Sequence, residues 1–380
     1  MEEIIVANPF VVGKYLSDRY FCDRSEETEF LRKQMNNGRN VALISPRRLG
    51  KSGLIHHFFN QPDIKETYHV FFVDIYATSS LAEFVYVLGK EIYEKLKPTS
   101  TIWKEKFFQV IASLRVGFKL DPMTGMPGLD LGLGDIQSPQ TTLDEIFDYL
   151  NESDKPCIVA IDEFQQIQDY AEKNIEALLR TKIQRCQTTQ FIFAGSKRHV
   201  MSNMFNSPAK PFYQSAISMG LDAIPQETYA DFAVQLFEEQ DKTIDREVIQ
   251  AVWNAYEGCT WFVQMMMNEL FSLTPSGGHC RAEMMADAKR NVILSQESSF
   301  KDLLTHIPPK QKIVLQAIAK EGTARNITSS KFIKKYNLNS ASSVQAAVKL
   351  LLKSGILTQN DDDSYRIYDY FFSEWLATAY

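Results

Sequence analysis

Short apolar runs alternate with amphipathic stretches along the first half of the chain. The runs cover residues 40–44, 68–75, 157–161 and 190–194, with a fifth candidate at 215–221. Nearly continuous apolar runs of this length are typical of strands buried on both faces of a parallel sheet. The helical stretches between them cover residues 51–59, 81–96, 143–150 and 175–186. This alternation predicts an α/β fold.

One segment interrupts this pattern. Apolar residues alternate with polar ones and glycines on both sides of a turn-rich stretch at 121–125. Alternation with period two around a turn is typical of a β-hairpin. We therefore predict a hairpin inserted at about 114–134, before the third strand.

The remainder of the chain follows a different plan. From about 225 to 297 the pattern is helical only, with amphipathic pieces at 229–240, 246–256 and 261–270. From 308 onward, three helical stretches at 310–321, 329–336 and 340–354 precede two short strands at 356–358 and 365–367. Three helices followed by a two-stranded ribbon indicate a winged helix. The predicted domains are 1–221, a helical subdomain at 222–300, and a winged helix at 301–380.

Composition limits the class of protein. The 380 residues are enough for two or three domains, and 44% hydrophobic with 23% charged residues is typical of globular chains. Acidic residues near the start and the lack of a long apolar run predict a cytoplasmic protein without a membrane contact. Five scattered cysteines predict neither a zinc site nor disulfides.

Charge is unevenly distributed. The formal net charge is -6, yet residues 301–380 carry 11 Lys and Arg against 7 Asp and Glu, which gives +4. The two ends of the chain are therefore open to different partners, although a small excess of lysines is also ordinary on a solvated face.

The loop after the first strand carries the first candidate chemistry. Residues 45–52 read SPRRLGKS and match GxxxxGK[ST] at every fixed position except the first, where Ser45 replaces Gly. Such a loop directs backbone N–H groups at phosphates, and the following helix N-terminus adds its dipole. Lys51 would contact the terminal phosphates, and the Ser52 hydroxyl would ligate Mg²⁺. The predicted nucleotide-binding residues of this loop are Ser45, Pro46, Arg47, Arg48, Leu49, Gly50, Lys51, Ser52 and Gly53.

Arg47 and Arg48 leave two interpretations open. They would screen phosphate charge or pair with acids elsewhere, or they are exposed basic residues at a loop tip.

The third and fourth strands end in polar residues. Asp162 and Glu163 follow the buried run 158–161, at the sheet edge where α/β proteins bind ligands. Asp162 would hold Mg²⁺, and Glu163 would accept a proton from the attacking water. Ser196 follows the fourth strand and is either a sensor of the γ-phosphate or ordinary turn chemistry. These positions predict an ATPase with ATP or ADP and Mg²⁺ as ligands, and Glu163, Lys51 and Ser196 as catalytic candidates.

Several motifs together resemble the archaeal-type ATPase family of STAND NTPases, a branch of the AAA+-like ATPases. They lie at 8–10, 20–24, 46–52, 161–165, 194–196 and 368–376. The resemblance covers nearly the whole chain. It implies a P-loop sheet of the ASCE class in the order 5-1-4-3-2, a helical lid, a C-terminal winged helix and a nucleotide-controlled switch between two domain arrangements.

The resemblance also assigns two further residues. Arg24 would lie near the nucleotide base or sugar, and Gly258 would match the glycine of a Gly-x-Pro motif in the lid. The sequence departs from the family pattern at Thr260, where proline is usual, and at Ser45, where glycine is usual.

Three functions remain open at this point. The first is an Mg²⁺-dependent ATPase that cycles between conformations, which the intact Glu163 favours. The second is a nucleotide-binding scaffold with almost no turnover. The third is a DNA-binding protein similar to replication initiators, suggested by the positive end segment.

Partners of the winged helix follow from its charges. The third helix offers only Lys349 and Lys353, and residues 361–363 at the wing tip are aspartates. We therefore expect weak DNA binding at most. The aromatic segment 368–375 predicts contact with the ATPase domain, a protein partner or a second copy through the winged helix and lid.

Overall fold

The computed structural model describes residues 6–96, 117–120, 127–130, 138–360 and 362–379. The chain divides into two compact units. The first comprises residues 13–224, and the second comprises residues 225–379 together with residues 6–12. The short N-terminal segment therefore belongs with the C-terminal half of the chain, which the sequence pattern did not predict.

Five parallel strands form the central sheet of the first unit. They are β1 (Val41–Ile44), β2 (His69–Asp74), β5 (Cys157–Asp162), β6 (Thr189–Gly195) and β7 (Ile217–Gly220). Their order is β2-β5-β6-β1-β7. Counted along the sheet strands alone, this is 2-3-4-1-5, so the predicted order 5-1-4-3-2 is confirmed.

Two other strands lie between β2 and β5 in sequence. These are β3 (Gly117–Leu120) and β4 (Pro127–Asp130), which pair antiparallel with each other. Both lie within the segment predicted as a hairpin. Residues 114–116, 121–126 and 131–134 of that segment, which include the predicted turn, lie outside the described residues.

Helices cover both faces of the sheet. The helices of the first unit are α1 (Ser25–Asn36), α2 (Lys51–Asn60), α3 (Pro62–Thr67), α4 (Leu81–Lys95), α5 (Pro139–Asn151), α6 (Ile175–Ile183) and α7 (Arg198–Asn206). Successive residues of a strand point to opposite faces, so each strand contributes to two cores. Ile158 and Ala160 pack in the core of α1, α2 and α3, whereas Val159 and Ile161 pack in the core of α4 to α7. This double burial explains why the strands read as continuous apolar runs.

The strand register brings the polar strand ends to one edge. Ile44 pairs with Gly195 on one side and with Gly220 on the other. Asp74 pairs with Asp162. The loop after β1 and the residues after β5 and β6 therefore meet at the carboxyl edge of the sheet.

The second unit begins with helices. They are α8 (Gln226–Glu238), α9 (Arg246–Ala255), α10 (Thr260–Leu273) and α11 (Met284–Thr305). The sequence pattern predicts helices only, and the prediction is wrong in one respect: β8 (Thr243–Ile244) and β9 (His279–Cys280) form a short parallel pair. Two-residue strands carry no periodic signal in the sequence.

The N-terminal segment packs onto these helices. Phe10 is fully buried, with its ring 5.5 Å from that of Phe237 and 5.8 Å from that of Phe271. The Asn8 amide donates to the Asn268 carbonyl at 2.8 Å, and the Asn268 amide donates to the Phe10 carbonyl at 2.8 Å. This reciprocal pair holds the segment against α10.

The C-terminal part has the winged-helix plan, as predicted. Its elements are α12 (Pro309–Glu321), β10 (Thr323–Ala324), α13 (Ser330–Lys335), α14 (Ala341–Lys353), β11 (Leu357–Gln359), β12 (Tyr365–Ile367) and α15 (Tyr370–Ala379). The predicted ribbon of two strands is a sheet of three, because β10 pairs antiparallel with β12. The aromatic segment after β12 forms α15.

Within the described part of the chain, the helices are all too short or too polar to cross a membrane.

Candidate functional site

The loop after β1 is anchored at its first residue. Ser45 is fully buried, and its hydroxyl donates to the Leu221 carbonyl at 3.1 Å, just beyond β7. The Ser45 N–H donates to the Gly195 carbonyl at 3.3 Å, which extends the pairing of β1 with β6. Serine in place of the motif's first glycine therefore supplies a hydrogen bond that glycine lacks.

The loop turns into α2 at Gly50. The φ of Gly50 is +94°, a conformation in which a side chain would be strained. Its carbonyl accepts from the Leu54 N–H at 2.8 Å, which begins the hydrogen-bonding of α2. Arg48 also has positive φ, at 66°. Positive φ at two positions curves the loop tightly over the start of the helix.

Arg24 holds the loop from outside. Its guanidinium donates to the Leu49 carbonyl at 3.3 Å and to the Asp222 carbonyl at 2.7 Å, and pairs with Glu27 at 2.6 Å. The residue is only 4% exposed. Arg24 therefore lies against the loop and ties it to the segment after β7. A position near the base or sugar stays a prediction.

Ser52 and Asp162 meet across the sheet edge. The Ser52 hydroxyl donates to Asp162 Oδ2 at 2.6 Å. The other carboxylate oxygen of Asp162 accepts from the Glu163 N–H at 2.9 Å. A hydroxyl beside a carboxylate is the type of oxygen pair that Mg²⁺ prefers. The residues present therefore fit this ion.

Lys51 lies inside the loop. Its ammonium donates to the carbonyls of Ser45 and Pro46, each at 3.2 Å, and the residue is 6% exposed. Burial lowers the pKa of Lys51, while Asp162 and Glu163 oppose that shift. Burial also raises the pKa of Asp162, against the hydrogen bond from Ser52. The Lys51 ammonium and the Asp162 carboxylate are therefore both poorly solvated. An anionic ligand beside Lys51 and a cation beside Asp162 would each compensate one of these charges.

Glu163 is contacted by two donors. The Ser196 hydroxyl donates to Glu163 Oε2 at 2.8 Å, and the Gln165 amide donates to the same oxygen. Arg47 Nε lies 3.4 Å from the Ser196 hydroxyl. The structure thus brings Arg47, Ser196 and Glu163 together, as expected of residues that follow adjacent strands. Of the two interpretations of Arg47, this contact favours a role in the site.

Gly258 lies in the second unit, in the turn between α9 and α10. Its φ is +66°, and its N–H donates to the Trp253 carbonyl at 2.9 Å, which closes the end of α9. Next to it, Glu257 contacts Arg366 at 3.1 Å and the Tyr370 hydroxyl at 3.0 Å. The turn that the resemblance assigns to nucleotide sensing is therefore attached to the winged helix.

The sequence predicts no role for two residues that take part in these contacts, Gln165 and Glu257. Gln165 lies within the motif at 161–165 that contributes to the family resemblance. The sequence does contain a signal for Gln165, because it is a polar residue only two positions after Glu163, in the segment where the chain leaves β5. No local signal identified Glu257, because its partners Arg366 and Tyr370 are more than a hundred residues away.

The fold is that of a P-loop ATPase with a C-terminal winged helix. The family described as an ATPase domain predominantly from Archaea matches residues 21–266, and a probable winged helix domain matches residues 298–378. The chain belongs to this archaeal-type ATPase family. No curated protein sequence matches the chain.

Solved structures share the fold at low sequence identity. The Walker-type ATPase paby2304 of Pyrococcus abyssi is 17% identical with a TM-score of 0.64, over 97% of this chain and 99% of that one. The ORC2 protein of Aeropyrum pernix, in ADPNP-ADP complexes, is 14% identical with a TM-score of 0.57, over 97% and 95%. The ORC1 protein of the same organism, in complex with DNA, is 12% identical with a TM-score of 0.52, over 94% and 93%.

Proposed function

We propose that this protein binds ATP with Mg²⁺ and hydrolyses it to ADP and phosphate, and that the bound nucleotide controls its conformation. The contact that carries the proposal is the 2.6 Å hydrogen bond between Ser52 and Asp162. The two oxygen-bearing side chains are suited to Mg²⁺, Ser52 directly follows the buried Lys51, and Asp162 directly precedes Glu163. Membership of an ATPase family supports the same chemistry.

Each residue has one task in this proposal. The loop N–H groups and Lys51 hold the phosphates, and Ser52 with Asp162 holds Mg²⁺, which neutralises phosphate charge. Glu163 accepts a proton from water as the water oxygen attacks the γ-phosphorus. The bond from that phosphorus to the bridging oxygen breaks, and ADP leaves.

A role as a conformational switch is supported by the second unit. The Gly258 turn contacts the winged helix through Glu257, so a displacement of this turn would be passed on to β12 and α15. The motifs at 194–196 and 368–376 support placing the chain in the STAND branch, whose members combine such a lid with a winged helix.

Glu163→Gln tests the hydrolysis. The amide keeps the shape of the side chain but accepts no proton, so we expect phosphate release to fall by about a hundredfold or more. ATP affinity, measured by calorimetry with Mg²⁺, should stay within about twofold. Glu172→Gln is the control, since Glu172 lies in the same unit and accepts from the Leu81 N–H instead.

The second candidate function is a nucleotide-binding scaffold with almost no turnover. It is favoured by the Glu163 carboxylate already being engaged by Ser196 and Gln165. If Glu163→Gln releases phosphate at the parent rate, Glu163 is not the base and the scaffold becomes the better explanation.

A further inference from the structure

A buried glutamine lies beside the candidate base. Gln165 is 3% exposed and belongs to the 3-10 turn Phe164–Asp169 that follows β5. Its amide Nε2 donates to Glu163 Oε2. The Ser196 hydroxyl, which comes from the end of β6, donates to the same oxygen at 2.8 Å. Two neighbouring elements thus hold one oxygen of the carboxylate.

The other carboxylate oxygen of Glu163, Oε1, differs from Oε2 in its hydrogen bonding. Among the described residues, no hydrogen bond to Glu163 Oε1 is present, whereas Oε2 accepts two. A carboxylate fixed through one oxygen presents the other in a defined direction. For a base that must meet a water molecule, this direction decides whether proton transfer is possible.

The backbone at Glu163 also needs support. Its φ is +54°, in the left-handed region that non-glycine residues seldom adopt. Such conformations persist where the surroundings determine them strongly. Three hydrogen bonds stabilise this conformation of Glu163. Its N–H donates to Asp162 Oδ1 at 2.9 Å, and its Oε2 accepts from Gln165 and Ser196.

The other polar atom of the Gln165 amide carries a cost in stability. Its Oε1 is buried and has no hydrogen-bond partner within the described part of the chain. An unpaired buried carbonyl is destabilising, and an apolar side chain of the same size would avoid that cost. The site also requires a glycine at 195, because a Cβ there would overlap with Gln165 Oε1 and with Met201. The hydrogen bond from Nε2 to Glu163 is therefore made although Oε1 of the same amide stays unpaired among the described residues.

We propose that Gln165 is a positioning residue for Glu163. Its amide and the Ser196 hydroxyl fix Oε2 so that Oε1 faces the water that attacks the γ-phosphate. The inference rests on the ATP hydrolysis proposed above, and it assigns the orientation of the base to a residue of the turn after β5, outside the phosphate loop.

Gln165→Met tests this role in the full chain. Methionine keeps the length and volume of the side chain and removes the donor. We expect the kcat for ATP to fall by about tenfold to a hundredfold, the scale of a misplaced catalytic group, with KM and ATP affinity within about twofold. Gln166→Met is the matched control, because the Gln166 amide donates to the Thr78 carbonyl at 3.2 Å instead. Its kcat should equal that of the parent.

A double variant separates positioning from general damage. In a Glu163→Gln background there is no base to orient, so adding Gln165→Met should lower kcat no further. A structural role would lower kcat by the same factor in both backgrounds. Thermal unfolding confirms that each variant is folded, and Gln165→Leu replaces Gln165→Met if the latter is not.

The outcomes distinguish this proposal from the one on which it rests. An unchanged kcat for Gln165→Met, or an equal fall in both backgrounds, overturns the positioning role while ATP hydrolysis stands. A parent chain that binds ATP but releases no phosphate overturns the hydrolysis, and the positioning role with it.

Discussion

The ammonium of Lys51 donates to carbonyls of its own loop, at Ser45 and Pro46. Burial lowers its pKa, so the protonated form is held at a cost in solvation. The two carbonyl dipoles stabilise the ammonium only in part. The negative charge of the γ-phosphate of ATP would stabilise it further. A residue with these contacts is therefore expected to contribute to nucleotide affinity more than to the stability of the loop.

We expect Lys51→Ala to abolish tight nucleotide binding. None of the other loop residues places an ammonium inside the loop, so the lost charge has no substitute. Calorimetry with ATP and Mg²⁺ measures the change. If ADP co-purifies with the parent chain, the variant should also unfold at a lower temperature, because a ligand that binds only the native state stabilises it.

Lys155→Ala serves as the control for Lys51→Ala. Lys155 belongs to the same unit and donates to the Glu66 carbonyl, which lies on α3. Unchanged ATP affinity in Lys51→Ala would contradict the assignment of residues 45–52 as the phosphate loop.

At the scale of elements, α15 links the winged helix to the helices before it. Phe371 is fully buried, with ring centroids 5.3 Å from Tyr256 and 5.4 Å from Phe262. Phe372 and Trp375 pack on Phe300 of α11. The aromatic segment, predicted to face the ATPase domain or a partner, is thus buried within the second unit. Burial also raises the pKa of Tyr370 to about 12.

Packing should hold this junction more strongly than charge. Phe371→Ala removes a buried ring and should cost about 3–5 kcal/mol. Glu257→Ala removes a pair to Arg366 whose acid is 67% exposed, and should cost about 1 kcal/mol or less. Urea unfolding followed by tryptophan fluorescence reports mainly on this unit, which contains three of the four tryptophans, Trp253, Trp261 and Trp375. Equal losses in the two variants would contradict this ranking.

The same glutamate bears on the proposed nucleotide switch. Because its contacts join the Gly258 turn to β12 and α15, Glu257→Ala is expected to change nucleotide-dependent conformation more than stability. The change in conformation is measured with nucleotide and the change in stability without it, so the two effects can be separated.

At the scale of the whole molecule, the charges of the wing bear on the choice of partner. Asp362 accepts from the Ser364 hydroxyl and N–H and from Arg325, and these contacts hold its pKa below the usual value. The positive charge of Arg325 is therefore paired with Asp362 of the wing. The exposed lysines of α14 are Lys349 and Lys353, as expected.

We expect the full chain to bind duplex DNA only at the level of non-specific contacts, with a Kd of about 1 μM or weaker near physiological salt. Carboxylates at 361–363 would repel the phosphates that a wing contacts. Fluorescence anisotropy with a labelled duplex measures the affinity. Reversal of the three aspartates to lysine should strengthen binding, and submicromolar binding that ignores this reversal would favour the initiator-like alternative.

Properties of the protein that depend on contiguous residues were predictable from its sequence. The apolar runs predicted the five sheet strands to within about two residues, because burial on both faces leaves an unbroken signal. The candidate phosphate loop could be identified from sequence because its motif, residues 45–52, is contiguous. The sheet order followed from the resemblance of the motifs to a known family, and the structure confirms it.

Only the tertiary structure decided which groups distant in sequence come into contact. Gln165 and Ser196 meet on one oxygen of Glu163 because β5 and β6 are neighbours and because the chain turns sharply at a positive φ. Arg24 reaches the Leu49 and Asp222 carbonyls, and Phe10 reaches Phe237, across separations that leave no periodic trace. The physical reason is that the hydropathy pattern indicates whether a residue is buried. Which residues it then contacts is determined only when the helices and strands pack together.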